Sequence, residues 1–286
     1  MKYEDWHTHN SLCRHAIGTV DQYINRAIKI DLNVIGFSDH FPYDFLLEHI
    51  PSLKKLPYRD MAMTLMEVEE YIKSVENLKA LYHDKIQIRL GFEIDYFETK
   101  EQILNNHLNK IIGRLDYILS SVHILFGKYG IFLIDDIRSI KHYELYNSID
   151  EIYLEYYQSI QNMINSKKHY IDILTHFDLP KKFDKRAEDK ELVMNEVIKT
   201  LELVKKRNLT IEVNTSGLRK RVKEQYPSEE ILQKMFEFDI PVLLGSDAHH
   251  PSELADRFGK MVKLLKRVGY NQLAHYNKRK RTFIEI

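Results

Sequence analysis

IQIRLGFEIDY, residues 86–96, is a short apolar, β-branched run that carries a carboxylate, Glu93, just after Gly91 and Phe92. Six more runs of this kind are spaced along the chain: Tyr3 to His9, Val34 to His40, Tyr117 to His123, Ile171 to Phe177, Thr210 to Asn214 and Pro241 to Asp247. Longer charged segments of helical period lie between them, the pattern of βα units wound around a parallel sheet or barrel. Arg281 to Ile286 reads as an eighth, peripheral strand.

Helix starts are legible between the runs. Thr19 with Gln22, Thr99 with Gln102 and Ser148 with Glu151 have capping-box spacing, and Ser228 and Ser252 also precede helical stretches. From Ser148 to Lys168 the residues Ile149, Ile152, Tyr153, Tyr156, Ile160, Met163 and Ile164 repeat at helical spacing, which makes them a core stripe. Residues 43–66, near Pro42, Pro51 and Pro57, read as a long irregular excursion after the second strand. No fixed-length repeat or Pro/Gly linker breaks the alternation, so one domain is expected over residues 1–286.

The bulk composition excludes several function classes. A chain of 286 residues with 44% apolar character can bury one large core. Lys plus Arg and Asp plus Glu both total 42, so no global field draws the protein to nucleic acid or anionic lipid, and any anion preference must be local. Cys13 is the single cysteine, which rules out a disulfide framework or a thiolate zinc site and suits a reducing, cytoplasmic setting. The opening MKYEDWHTHN has charges where a signal peptide would be apolar, and no window approaches about 18 apolar residues, so a soluble, unexported protein without a membrane partner is expected. The composition does not fix an oligomeric state.

The 14 histidines are the unusual count, and most of them are placed rather than scattered. Asp5, His7 and His9 are two apart in the first run, so a strand would point all three to one face. The other runs end Phe37-Ser38-Asp39-His40, Ser120-Ser121-Val122-His123, Leu174-Thr175-His176-Phe177-Asp178, Glu212-Val213-Asn214 and Gly245-Ser246-Asp247-Ala248-His249. In a parallel barrel the C-terminal strand ends share one rim, which brings these distant residues to one pocket. Burying so many ionisable groups without a cation is costly, and imidazole plus carboxylate without thiolate suits zinc, manganese or iron.

Taken in order, Asp5-Trp6-His7-Thr8-His9, Cys13-Arg14-His15, Phe37-Ser38-Asp39-His40, Gly91-Phe92-Glu93, Ser121-Val122-His123, Thr175-His176-Phe177-Asp178 and Gly245-Ser246-Asp247-Ala248-His249 resemble the motifs of the PHP family, especially its histidinol-phosphate phosphatase branch. The similarity spans nearly the whole chain. It extends to Asp178-Leu179-Pro180-Lys181-Lys182-Phe183, to Asn214-Thr215-Ser216-Gly217-Leu218-Arg219 and to Tyr226-Pro227-Ser228.

The resemblance implies a distorted (β/α)7 barrel, which agrees with the seven runs. It implies about three divalent ions (Zn, Mn or Fe). His7, His9, Glu93 and Asp247 would hold one; Glu93 would bridge to a second with His123 and His176; His15, His40 and His249 would hold a third. Glu93, Asp247 and His176 would then stand at the catalytic centre. The implied reaction is hydrolysis of a small phosphate monoester, foremost L-histidinol phosphate in histidine biosynthesis, by a metal-activated hydroxide. The rival substrate within the family is a nucleotide or nucleic acid. Arg219 is the first choice for gripping phosphate because a guanidinium fork fits its geometry, Lys182 the second, with Arg14 and Arg138 behind them. His49, His83, His107, His142, His169 and His275 fall away from the rim and read as surface residues. Cys13 has no dedicated base and is not read as a nucleophile.

Overall fold

A computed structural model describes residues 2–286. Seven parallel strands form its centre: β1 (Glu4–Asp5), β2 (Val34–Phe37), β3 (Gln87–Asp95), β4 (Tyr117–Ser121), β7 (Ile173–Leu174), β8 (Thr210–Asn214) and β9 (Val242–Gly245). They lie side by side in that order. The seam between β9 and β1 is closed by backbone bonds, Trp6 N–H to Leu244 O at 3.1 Å and His9 N–H to Ala248 O at 3.0 Å. The sheet is thus a nearly closed (β/α)7 barrel, one of the two arrangements that the alternation allowed and the one that the family resemblance implied.

Alternation along the strands separates two environments. In β3, Phe92 and Ile94 face outward into the layer of helices, while Glu93 and Asp95 face the interior, as period-two geometry requires. Trp6, Val34, Tyr117, Leu119, Ile173 and Leu243 pack together as an apolar cluster with Ala274 and Tyr276. Tyr117 fills this plug because Gly36 lies beside it: a Cβ there would come 2.4 Å from its hydroxyl oxygen.

Helices surround the barrel at Val20–Lys29, Val68–Leu81, Glu101–Leu108, Ile140–Tyr143, Ile149–Asn165, Lys190–Arg207, Glu229–Glu237 and Phe258–Val268. Thr19 and Gln22 form the expected capping box. Thr99 does not cap: it sits at φ 64°, the helix begins at Glu101, and Lys100 occupies the cap position. Ser148 precedes its helix without donating a cap. Ser252 lies in a single 3-10 turn, Pro251–Glu253, and the next helix starts only at Phe258. The Ile149–Asn165 helix buries the stripe read from its spacing.

Two hairpins modify the expected order. β5 (Ile124–Gly127) and β6 (Gly130–Leu133) pair antiparallel straight after β4, a feature the sequence reading did not contain. The peripheral C-terminal strand is one arm of a hairpin, β10 (Gln272–Asn277) with β11 (Lys280–Glu285). Tyr276 anchors it beneath the barrel, sharing a hydrogen bond with Thr210 Oγ1 at 2.8 Å and accepting one at its carbonyl from Arg89 Nε at 3.0 Å. The excursion over residues 43–66 is a series of four 3-10 turns, the last ending at Glu67. Among the described residues no helix is long and apolar enough to cross a membrane.

Candidate metal centre

The predicted ligands leave the strand ladders near their C-terminal ends. β1 stops at Asp5 and β7 at Leu174, earlier than the apolar runs suggested, although backbone bonds such as His9 N–H to Ala248 O carry the pairing on past Asp5. Two ligands take backbone conformations that L-residues rarely adopt, His176 at φ 24° and Asp247 at φ 50°, a strain typical of functional positions.

Glu93 lies at the middle of the cluster. One oxygen is 3.2 Å from His7 Nε2, 3.4 Å from His9 Nε2 and 3.2 Å from His40 Nδ1. The other is 2.9 Å from His176 Nε2 and 3.6 Å from His123 Nε2. Asp247 Oδ1 is 3.4 Å from His9 Nε2 and 3.5 Å from His249 Nδ1. Five groups of donor atoms, each within 4.8 Å of one another, occur among the described residues: three match the expected sets, His7, His9 and Glu93, then Glu93, His123 and His176, then His15, His40 and His249, and two cut across them, His9, Cys13 and His249, and His40, Asp95 and His123. All nine expected ligands are thereby brought to one rim.

The donor chemistry fits cations. His7 donates from Nδ1–H to Glu212 Oε1 at 2.7 Å, so its Nε2 presents a lone pair inward, 3.0 Å from His9 Nε2. Lone pairs of two imidazoles and a carboxylate that close repel unless positive charge lies among them. Burial opposes charge on His7, yet Glu212, Glu93 and Asp247 together push its proton affinity well above the usual range. Burial raises Glu93, but His7, His123 and His40 hold it well below the usual carboxylate range. Burial, then His40, push His9 down to about 3, the neutral form that coordinates a metal.

Behind the ligands stands a layer of carboxylates that the sequence reading named as strand-end residues or passed over. Glu212 backs His7, and Asp95 Oδ1 accepts from His123 Nδ1–H at 3.0 Å. Burial opposes charge on His123, but Asp95 and Glu93 raise it to about 10. Such partners fix the tautomer of metal-ligating imidazoles. Asp5 does not face the ions: its two oxygens accept from the N–H groups of Ser246 and Ala255, both at 2.9 Å, pinning the loop that carries Asp247. Alternation in β3 and β8 would have pointed to Asp95 and Glu212 as inward-facing.

A cavity of about 480 Å³ opens over the centre, lined by His15, His40, Glu93, His123, Asp247 and His249 and by Asp60, Asp135, Asp136, Arg138, Lys182 and Lys220. Lys182 is present as expected, 2.9 Å from Asp135 Oδ2. Arg219 is not among the lining residues. Its Nη2 donates to Ser246 O at 2.8 Å and Asp247 O at 3.2 Å, and its other nitrogens lie 3.3 Å from Glu253 and 3.5 Å from Asp256. Lys220 occupies the cavity instead, with no carboxylate within 4.0 Å among the described residues. Arg138 is bound to Asp136 at the cavity wall, and Arg14 pairs with Glu67 outside it. Cys13 is a buried free thiol pushed well above its usual range by burial, no nucleophile.

Of the histidines read as surface residues, His169 is buried and His275 partly buried. His169 is 2% exposed against the edge of Tyr96, and His275 donates from Nδ1 to Glu4 at 3.0 Å. Each lies in a connection or hairpin whose packing no local pattern records. His49 and His83 are exposed, as expected.

A nearly closed parallel barrel with a His/Glu/Asp centre at its C-terminal rim defines a class of metal-dependent hydrolytic enzymes. Within it, this chain belongs to the PHP domain family, whose model matches residues 5–216. A Deinococcus radiodurans protein named "Probable histidinol-phosphatase" is 32% identical, with 93% of each chain covered. A crystallised Listeria monocytogenes protein, provisionally named a histidinol phosphatase, superposes with TM-score 0.82 at 25% identity over 90% of this chain and 99% of that one. The histidinol phosphate phosphatase of Lactococcus lactis has the same fold, TM-score 0.79 at 19% identity over 98% and 99%.

Proposed function

We propose that the chain is a metal-dependent phosphoric monoester hydrolase that converts L-histidinol phosphate to L-histidinol and phosphate, and that it serves histidine biosynthesis in the cytoplasm. The observation that carries the reaction class is the convergence of His7, His9, His123 and His176 on Glu93 beneath a cavity that Lys182 and Lys220 also line. The substrate rests on the histidinol-phosphatase relatives and on the Lactococcus lactis structure, which is complexed with zinc, L-histidinol and phosphate.

In this reading the three ligand groups hold about three divalent ions, which neutralise phosphate oxygens and make water a nucleophile near neutral pH. Glu93 serves two of the groups, and Asp247 joins the His7/His9 set. Lys182 and Lys220 face the same cavity and bind the phosphoryl oxygens that the ions leave uncovered. Asp135 keeps Lys182 in place; burial raises its proton affinity, but Lys182 and His123 hold it well below the usual range, so it stays ionised. Arg219 does not touch phosphate and braces the main chain of Ser246 and Asp247.

The test is phosphate release from L-histidinol phosphate beside nucleoside monophosphates and an aryl phosphate, with added Mn²⁺ or Zn²⁺. Strong preference for L-histidinol phosphate is expected. Comparable turnover of nucleotides would move the function to the nucleotide or nucleic-acid rival.

A further inference from the structure

We propose that Glu212 is the positioning residue for the two ions that share Glu93: one buried carboxylate sets the His7 ring, the His176 main chain and, through Asn214, the Asp247 carboxylate. The inference rests on the ligand grouping above and extends the part of Glu212 from the His7 ring to the His176 main chain and the Asp247 carboxylate.

Glu212 is fully buried. Its Oε1 accepts from His7 Nδ1–H at 2.7 Å. Its Oε2 accepts from the His176 N–H at 3.1 Å and from Asn214 Nδ2 at 3.0 Å. Asn214 Nδ2 also reaches Asp247 Oδ2 at 3.4 Å, and Ser216 Oγ donates to that same oxygen at 3.0 Å. Asn214 Oδ1 in turn accepts from the Ser216 N–H at 2.8 Å, which closes the network. Both Glu212 oxygens are therefore occupied by groups that carry or orient ligands, and the carboxylate acts through them.

Two further observations show that the fold makes room for this group. A Cβ on Gly245 would lie 1.8 Å from Glu212 Oε1 and 2.8 Å from His7 Cβ, so the bare glycine permits the carboxylate to reach the ring. His176 is at φ 24°, and its main chain is held from both sides, by Glu212 at the N–H and by Tyr156 Oη donating to its carbonyl at 3.1 Å. The third group touches Glu93 through His40 but is oriented by other partners: His15 Nδ1 lies against the carbonyls of Cys13 and Asp60, and His249 Nδ1 against that of Asp247. No hydrogen bond joins Glu212 to His15, His40 or His249 among the described residues.

The experiment is metal titration of the full chain with Co²⁺ and Zn²⁺, following metal content, competition against a chelator and the visible spectrum of the Co²⁺ form. Glu212→Gln keeps the volume but sets an amide N–H₂ against one donor. It is expected to weaken the two Glu93-sharing ions about 10- to 100-fold and to alter the Co²⁺ spectrum, leaving the third ion and the melting temperature of the chelated protein as in wild type. Unchanged affinity at all sites, or equal loss at all of them, overturns the proposal. Should Glu212→Gln fail to fold, Asn214→Ala removes the amide that joins Glu212 Oε2, Asp247 Oδ2 and the Ser216 N–H while leaving the Glu212 bonds to His7 and His176, and should weaken the ion of the His7/His9 group most; unchanged binding there overturns it equally. Because the readout is binding, a wild-type protein that holds its ions yet leaves L-histidinol phosphate intact sinks the substrate assignment and not this one.

Discussion

Arg219 and Lys220 are neighbours with opposite fates, and substituting each to alanine separates the two roles. Arg219 makes two charge-assisted bonds to carbonyls, at 2.8 and 3.2 Å, and two ion pairs, with its side chain 16% exposed. Bonds of this kind are each worth about 1.5–3 kcal/mol. Arg219→Ala should therefore cost about 3 kcal/mol of stability and lower Tm by roughly 6–12 °C, with kcat falling because the main chain at Asp247 is loosened. Lys220 touches no carboxylate and lines the cavity, and burial and then Lys182 push its pKa down. Loss of one such bond to phosphate costs about 1.5–3 kcal/mol, or about 10- to 100-fold in kcat/KM. Lys220→Ala should lose that factor with Tm unchanged. Thermal unfolding and steady-state kinetics on L-histidinol phosphate are the assays. A Lys220→Ala enzyme like wild type, beside an Arg219→Ala enzyme with intact Tm and a raised KM, would refute the reasoning and return phosphate to the guanidinium.

Chelation of the full chain should lower Tm: an ion present at 1,000 times its Kd contributes about 4 kcal/mol, and an unchanged melting curve would count against the ion cluster. His169 gives a pH prediction. Burial and then Arg207 lower it to about 3, so in the folded protein it stays neutral while the unfolded chain takes up a proton below about pH 6.5. Stability is thus lost as pH falls, by roughly 2 kcal/mol between pH 7.5 and 5. His169→Leu should abolish that share, measured by denaturant unfolding of both proteins in chelator; equal pH slopes would refute it. Gly245→Ala, which drives a methyl group into Glu212 Oε1, should reproduce the metal-binding defect of Glu212→Gln, and normal metal content would show that Glu212 has room to move. Asp95→Asn should weaken the His123 ion about 10- to 100-fold, read by the same titration, and no change would deny Asp95 its part in fixing that ring.

The seven strands were legible because each buries a β-branched run, and period-two alternation is a local property of the backbone. The hairpin of β5 and β6 was not, since Ile124–Leu133 follows His123 directly, with no helical segment between to mark a new element after the fourth run. Eight of the nine candidate ligands were legible as residue types at strand ends, because a parallel barrel sends every such end to one rim, whereas His15 was offered only by the family resemblance.

What the sequence by itself determined, then, is the order of strands and the candidate donors at their ends, which follow from local periodicity and chemical type, and, through the family resemblance, the grouping of those donors. Which charges face the cavity was decided only by tertiary structure. Arg219 and Lys220 are adjacent in the chain, and their opposite directions depend on carbonyls at Ser246 and Asp247 and on carboxylates at Glu253 and Asp256. The same holds for Glu212, whose work is defined by contacts with His7, His176 and, through Asn214, Asp247. Hydrogen bonds between residues far apart in sequence carry no signature in either partner's neighbourhood, and only the barrel brings them within reach.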